Sequence, residues 1–162
     1  MPGEAQFVAP IVVGIGATLL VDAWSVVLRM AFDIRSLDYC LLGRWLRHMP
    51  ATMRHENIAH APARRHECAT GWLAHYAIGV SLTIAFVLVS DGWLARPTLM
   101  PALSWGVATV IFPLLVMQPA LGFGVASSRT RFPARARVKS LLTHVVFGCG
   151  IYAVARLLAA LT

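Results

Sequence analysis

Four apolar runs, each long enough to cross a bilayer, constrain the fold more than any other feature of this sequence. They cover about residues 7–28 (FVAPIVVGIGATLLVDAWSVVL), 71–89 (GWLAHYAIGVSLTIAFVLV), 99–126 and 138–161 (VKSLLTHVVFGCGIYAVARLLAAL). A hydrocarbon core ~30 Å thick takes roughly 20 residues of helix. A segment in lipid must satisfy its backbone hydrogen bonds internally, so each run is expected to be helical. The expected fold is an all-α membrane protein: four transmembrane helices with a short cytoplasmic interfacial amphipathic helix, in one domain over residues 1–162. The helices are placed at about 7–31, 71–90, 99–118 and 138–161, and the cytoplasmic loops at 32–70 and 127–137. The third run is too long for one straight span, because 28 residues would reach ~42 Å. A break is expected near Gln118-Pro119, since proline disrupts the preceding turn.

Charge sets the orientation. Lysine and arginine outnumber aspartate and glutamate 14 to 7, and all the bases except Lys139 are arginine. The aromatic-plus-basic platforms of nucleic-acid binders are missing, so nucleic acid is not an expected partner. Most of the bases lie in the connections or at their edges instead, with Arg156 near the end of the fourth run. Arg35, Arg44, Arg47, Arg54, Arg64 and Arg65 fall in the stretch 32–70, and Arg129, Arg131, Arg135, Arg137 and Lys139 in the stretch 129–139. The second connection holds only Arg96. The positive-inside rule then puts both basic connections in the cytoplasm and both termini outside. The opening MPGEAQF lacks the basic start of a signal peptide, so the first run is expected to stay in the mature chain.

Residues 36–47, SLDYCLLGRWLR, gather Leu37, Leu41, Leu42, Trp45 and Leu46 on one half of a helical wheel. They suit a helix lying in the membrane interface. Asp38 falls inside that apolar arc, but it stands near the helix start, where a carboxylate is favoured. Cys40, Cys68 and Cys149 show no paired spacing, so no disulfide framework is expected and buried or reduced thiols are the ordinary reading. The glycine pairs Gly14/Gly16, Gly122/Gly124 and Gly148/Gly150 are read as small residues that let helices approach closely.

Polar residues inside apolar runs are costly and so mark candidate sites. In the expected orientation Asp22, His75, Gln118 and His144 all lie within ~6–10 Å of the cytoplasmic membrane face, at ~1.5 Å per residue. Asp22, His75 and His144 form a candidate ligand set for a divalent metal ion, with two imidazoles and a carboxylate suiting zinc, iron or manganese. The same residues would serve as a proton relay, or as interhelical hydrogen-bond partners with no further role.

The loop MRHENIAHAPARRHE invites comparison with the HExxH zinc motif, which needs two histidines four apart on one helical face. His55 and His60 are five apart, and Pro62 interrupts any longer helix, so that motif is excluded. A solvated loop is the ordinary reading. The sharper one has His48, His55, His66 or Glu67 contributing to a ligand site at the membrane face. In the second basic loop, SSRTRFPARARVK, attraction to anionic lipid headgroups is the ordinary explanation. Ser127, Ser128 and Arg129, with Gln118, are candidates for recognising a phosphorylated or carboxylated ligand.

Taken in order, GATLLVDAW, SLDYCLLGRWLRHMP, GWLAHYAIG, GWLARPTLMPAL, MQPALGFGVASSRT and SLLTHVVFGCGIY resemble an uncharacterised family of small bacterial inner-membrane proteins, a domain of unknown function. The resemblance covers roughly residues 11–155 and implies a four-helix architecture in a bacterial inner membrane. It implies no activity or cofactor. It places Asp22, His48, His75, Gln118, Arg129 and His144 within the shared pattern. The functional expectation is an intramembrane His/Asp cluster handling a metal ion, protons or an anionic lipid-like ligand. The alternative is an accessory subunit of a larger membrane complex. An enzyme using His75 or His144 as a base ranks last, with no supporting motif.

Overall fold

The computed structural model describes residues 2–49 and 51–161, with side chains from residue 8 onward. It is all-helical, without a strand among these residues. The helices are α1 (Pro2–Phe32), α2 (Tyr39–His48), α3 (Glu67–Val89), α4 (Leu99–Thr109), α5 (Gln118–Leu121) and α6 (Pro133–Leu161). Four stretches are long and apolar enough to cross a membrane: Val8–Phe32, Glu67–Val89, Leu99–Leu121 and Pro133–Leu161. Large apolar side chains on them point outward, among them Met30, Leu73, Leu88 and Leu157. Surfaces so apolar need lipid as their solvent, and the chain is a multi-pass membrane protein.

Local chemistry explains the helix ends. Asp38 caps α2, its carboxylate accepting from the Cys40 N–H at 2.8 Å, while Arg47 and His48 sit in the last turn where the helix dipole favours cations. Glu67 opens α3, where the helix dipole favours a carboxylate, and accepts from the Arg64 backbone N–H at 2.8 Å. Pro133, which needs no N–H partner, starts α6.

The third span departs from expectation. Its irregularity begins before Gln118-Pro119, in a π-helical turn at Pro113–Met117, where the Gln118 N–H bonds to the Pro113 carbonyl. Pro113 lacks an N–H and its ring crowds the preceding turn, so the backbone widens there instead of kinking five residues later. The span continues through α5 and ends at Gly122, whose φ of 94° is the left-handed conformation common after a helix.

The chain divides into two compact units. The first comprises Met1–Arg35, Tyr76–Thr109 and Thr143–Thr162. Its core holds Val13, Ala17, Val21, Phe86, Trp93, Ala102, Phe147, Ile151 and Ala155. Small residues set its crossings: a Cβ on Gly106 would lie 2.7 Å from Gly148, and one on Gly150 would lie 3.0 Å from Ala17. The Trp105 indole N–H donates to the Leu82 carbonyl at 3.0 Å.

The second unit comprises Ser36–His75 and Val110–Leu142. Its core is Leu42, Trp45, Ile58, Ala120 and Leu121, built from α2, α5 and the loop between α2 and α3. The two units differ in charge. The first carries four bases and four acids, whereas the second carries ten bases and three acids. The formal net charge of +7 therefore belongs entirely to the second unit.

Candidate functional site

In the first unit Asp22, Thr109 and His144 are each paired within the spans. The Tyr76 hydroxyl donates to Asp22 Oδ2 at 2.8 Å. Thr109 Oγ1 donates to the Gly106 carbonyl at 2.7 Å, and His144 Nδ1 lies 2.9 Å from Thr109 Oγ1. Because Thr109 has a single proton, His144 Nδ1–H is the donor in that second bond. The Trp24 indole nitrogen is buried with no hydrogen-bond partner among the described residues.

In the second unit His75 stacks on Tyr39, with ring centroids 4.0 Å apart, and Trp72 meets the Tyr39 ring edge-on at 4.8 Å. Among the described residues, no three His, Cys, Asp or Glu side chains form a group that could hold a metal ion.

The second unit is organised around the crossing of α2 and the start of α3. Gly43 faces the Glu67 carbonyl and Gly71 faces the Tyr39 carbonyl, so closely that a Cβ on either would collide with backbone. Two equivalent Cys-x-x-Gly steps, Cys40–Gly43 and Cys68–Gly71, bring the backbones together, and Cys40 and Cys68 form a disulfide with Cα atoms 3.9 Å apart. This corrects the expectation of unpaired thiols. The two cysteines lie 28 residues apart, and only the glycine-mediated crossing makes them neighbours. Cys149 is free and exposed.

Arg44 completes the crossing. Its Nε and Nη2 donate to the two Glu67 carboxylate oxygens at 2.9 and 2.7 Å. Its Nη1 reaches the carbonyls of Ala59 and Ala61 at 3.1 and 3.2 Å. The Glu67 carboxylate raises the Arg44 pKa above its ordinary value through this bidentate bond. Glu67, a candidate ligand residue by sequence, is thus engaged as a structural counterion.

Most residues of the loop MRHENIAHAPARRHE are exposed, and three contacts anchor it to this core. Ile58 is fully buried, the Trp45 indole donates to the Met53 carbonyl at 2.9 Å, and the His55 N–H donates to the Ala120 carbonyl at 3.0 Å. His48 and His55 approach edge to face at 5.5 Å. His48 Nε2 lies 3.0 Å from the Pro62 carbonyl and 3.3 Å from Arg64 Nε, whereas His55 Nε2 is buried without a partner among the described residues. His55 lies outside any helix and His60 ends a single 3-10 turn, as the failed zinc-motif spacing implies.

A second polar feature follows α5. Gln118 is buried; its Oε1 accepts from the Ser127 hydroxyl at 2.8 Å, and its Nε2 donates to Ser140 Oγ at 3.2 Å. Between them the chain makes a tight excursion with positive φ at Gly122 (94°), Gly124 (75°), Ala126 (48°) and Ser127 (59°). Gly122 packs so closely on Glu56 that no side chain fits there. Ala126 and Ser127 have no glycine's freedom, and backbone held in this region costs on the order of 1–3 kcal/mol per residue. The contacts that hold it are the Gln118–Ser127 bond and Arg137 Nε, which donates to the Ala126 carbonyl at 2.7 Å. The Arg129 N–H donates to the Phe123 carbonyl at 2.9 Å, which fixes that residue at the exit of the loop.

Ser128 and Arg129 are exposed there, and Arg131 and Arg135 follow on either side of Phe132, their guanidinium carbons 5.2 and 5.0 Å from its ring centre. None of Arg129, Arg131, Arg135 and Arg137 makes an ion pair among the described residues. A loop presenting a hydroxyl and guanidinium groups that make no ion pair among the described residues has the chemistry to bind phosphate or carboxylate oxygens.

Sequence reading singled out Gln118 as a polar residue inside an apolar run, and Ser127, Ser128 and Arg129 where that run meets bases. It passed over Arg44, Tyr39, Tyr76, Ser140 and the Cys40–Cys68 pair. The repeated Cys-x-x-Gly spacing was the available signal for that pair, and it becomes meaningful only when the two segments are known to cross. The model of a family described as a protein of unknown function (DUF2938) matches residues 11–158. No curated protein and no solved structure matches the chain.

Proposed function

The chain belongs to this family of proteins of unknown function, and from that footing we propose that it is a bacterial inner-membrane protein that binds anionic amphiphiles at its cytoplasmic face. The reading places the basic second unit toward the cytoplasm and both termini in the periplasm, in accord with the positive-inside rule. One observation carries it: the net charge resides in the second unit, whose 110–142 portion has five bases and no acid. Within that portion the strained loop at 122–129 offers Ser128 and Arg129, and the Arg131–Phe132–Arg135 cluster offers two cations around an exposed ring. An apolar ring flanked by guanidinium groups suits the level of lipid headgroups. The ligand class is a phosphate-bearing amphiphile; binding it requires no metal and no bond-breaking step.

Native mass spectrometry after purification in mild detergent tests this with two lipids of equal chain length, phosphatidylglycerol and phosphatidylethanolamine. The wild-type protein should retain the anionic lipid preferentially. Each base near an anionic surface contributes ~1 kcal/mol, so Arg129→Ala should weaken that retention about fivefold. Equal retention of both lipids by the wild type would overturn the proposal.

A further inference from the structure

The α2–α3 crossing carries a device built from residues other than those offered to the lipid. We propose that Cys40–Cys68 is a reversible thiol–disulfide latch, opened by exchange with dithiols of the cytosol and closed by exchange with their oxidised, disulfide forms, which leave as dithiols. The inference takes from the proposed function only its orientation.

Three features support reversibility. The crossing is held independently of the sulfurs, by the close approach at Gly43 and Gly71 and by the bidentate Arg44–Glu67 bond. The cysteines therefore stay adjacent when reduced, at a high effective concentration, and can close again. The two sulfurs are also unequal. Cys68 is exposed in the first turn of α3, whereas Cys40 is partly buried in the first turn of α2. An incoming thiolate reaches the more exposed Cys68, which leaves Cys40 as the departing sulfur. Finally, a disulfide on a cytosolic face is opposed by the local thiol pool, so one that forms there is transient and redox-sensing.

The exchange balances as follows. One thiolate of a soluble dithiol attacks Cys68 Sγ, the Cys40–Cys68 bond breaks, and its electron pair leaves on Cys40 Sγ. The second thiol of the reductant then attacks its own sulfur in the mixed disulfide and releases Cys68. Two electrons and two protons pass to the cysteine pair, and the reductant departs as a disulfide. The closed latch ties α2 to α3 covalently. α2 also packs through Leu42 and Trp45 in the same core as Ala120 and Leu121, so the latch acts on the element that supports the 122–129 loop.

The test uses full-length protein in intact cells, with Cys149→Ser so that two thiols remain. Acid quenching followed by mass-tagged maleimide counts free thiols. Two tags are expected in untreated cells, none after a brief pulse of a thiol oxidant, and two again after dithiothreitol. A pair that stays closed in untreated cells, or that does not close under the oxidant, overturns the latch. In a separate arm, a Ser128→Cys reporter in a background lacking the other cysteines is labelled with membrane-impermeant maleimide. Labelling in intact cells overturns the orientation. Protection in intact cells combined with a permanently closed pair overturns the latch while leaving the orientation standing.

Discussion

At Ser127 two opposing effects meet in one residue. Its hydroxyl satisfies the buried Gln118 side chain, and its backbone is held at a φ of 59°. Ser127→Ala removes the bond and keeps the strain, and an unsatisfied buried polar group costs about 1–3 kcal/mol. Ser127→Gly removes the same bond but relieves the left-handed backbone, which offsets on the order of 1 kcal/mol. Thermal unfolding in detergent should rank wild type first, then glycine, then alanine; an alanine variant as stable as wild type would show that the bond carries little. Tyr76→Phe should cost ~0.6–2 kcal/mol in the same assay, the range for a hydrogen bond between membrane helices, because Asp22 loses its hydroxyl donor.

At the scale of elements the α2–α3 crossing is the most sensitive feature. Gly71→Ala places a methyl against the Tyr39 carbonyl, where backbone would have to move. The variant should separate the helices and abolish the Cys40–Cys68 link on oxidation, read as two maleimide-reactive thiols where the parent shows none. Glu67→Gln leaves Arg44 without its counterion and should lower stability by about 1.5–3 kcal/mol, as for a hydrogen bond between charged groups. The spans themselves were readable in the sequence because a run of some twenty apolar residues has few other outcomes. The amphipathic helix was readable too, and Asp38 serves it as an N-cap, as its position near the start suggested. The crossing was not, because it depends on which residues face Gly43 and Gly71 across 28 positions of chain. The π-helical turn escaped for a different reason: Pro113 and Pro119 both disrupt helix, and sequence does not show which one the backbone accommodates by widening.

For the whole molecule the decisive property is the separation of charge, with a neutral first unit and ten bases against three acids in the second. Bases between apolar runs could be read directly as an orientation signal, but their clustering around a strained loop could not. The orientation predicts that alkaline phosphatase fused to either terminus is active, while the same fusion after Arg131 is inactive; activity of the internal fusion alone would reverse the topology. The most direct test of anionic recognition is equilibrium binding of a soluble short-chain phosphatidylglycerol to purified protein. Its comparison is Arg129→Gln/Arg131→Gln/Arg135→Gln/Arg137→Gln, with phosphatidylcholine of the same chain length as the neutral ligand. At ~1 kcal/mol per base, the account predicts that the substitutions weaken the anionic lipid by about two orders of magnitude or more and leave the neutral lipid unchanged. An unchanged affinity for phosphatidylglycerol in the four-fold variant would contradict it.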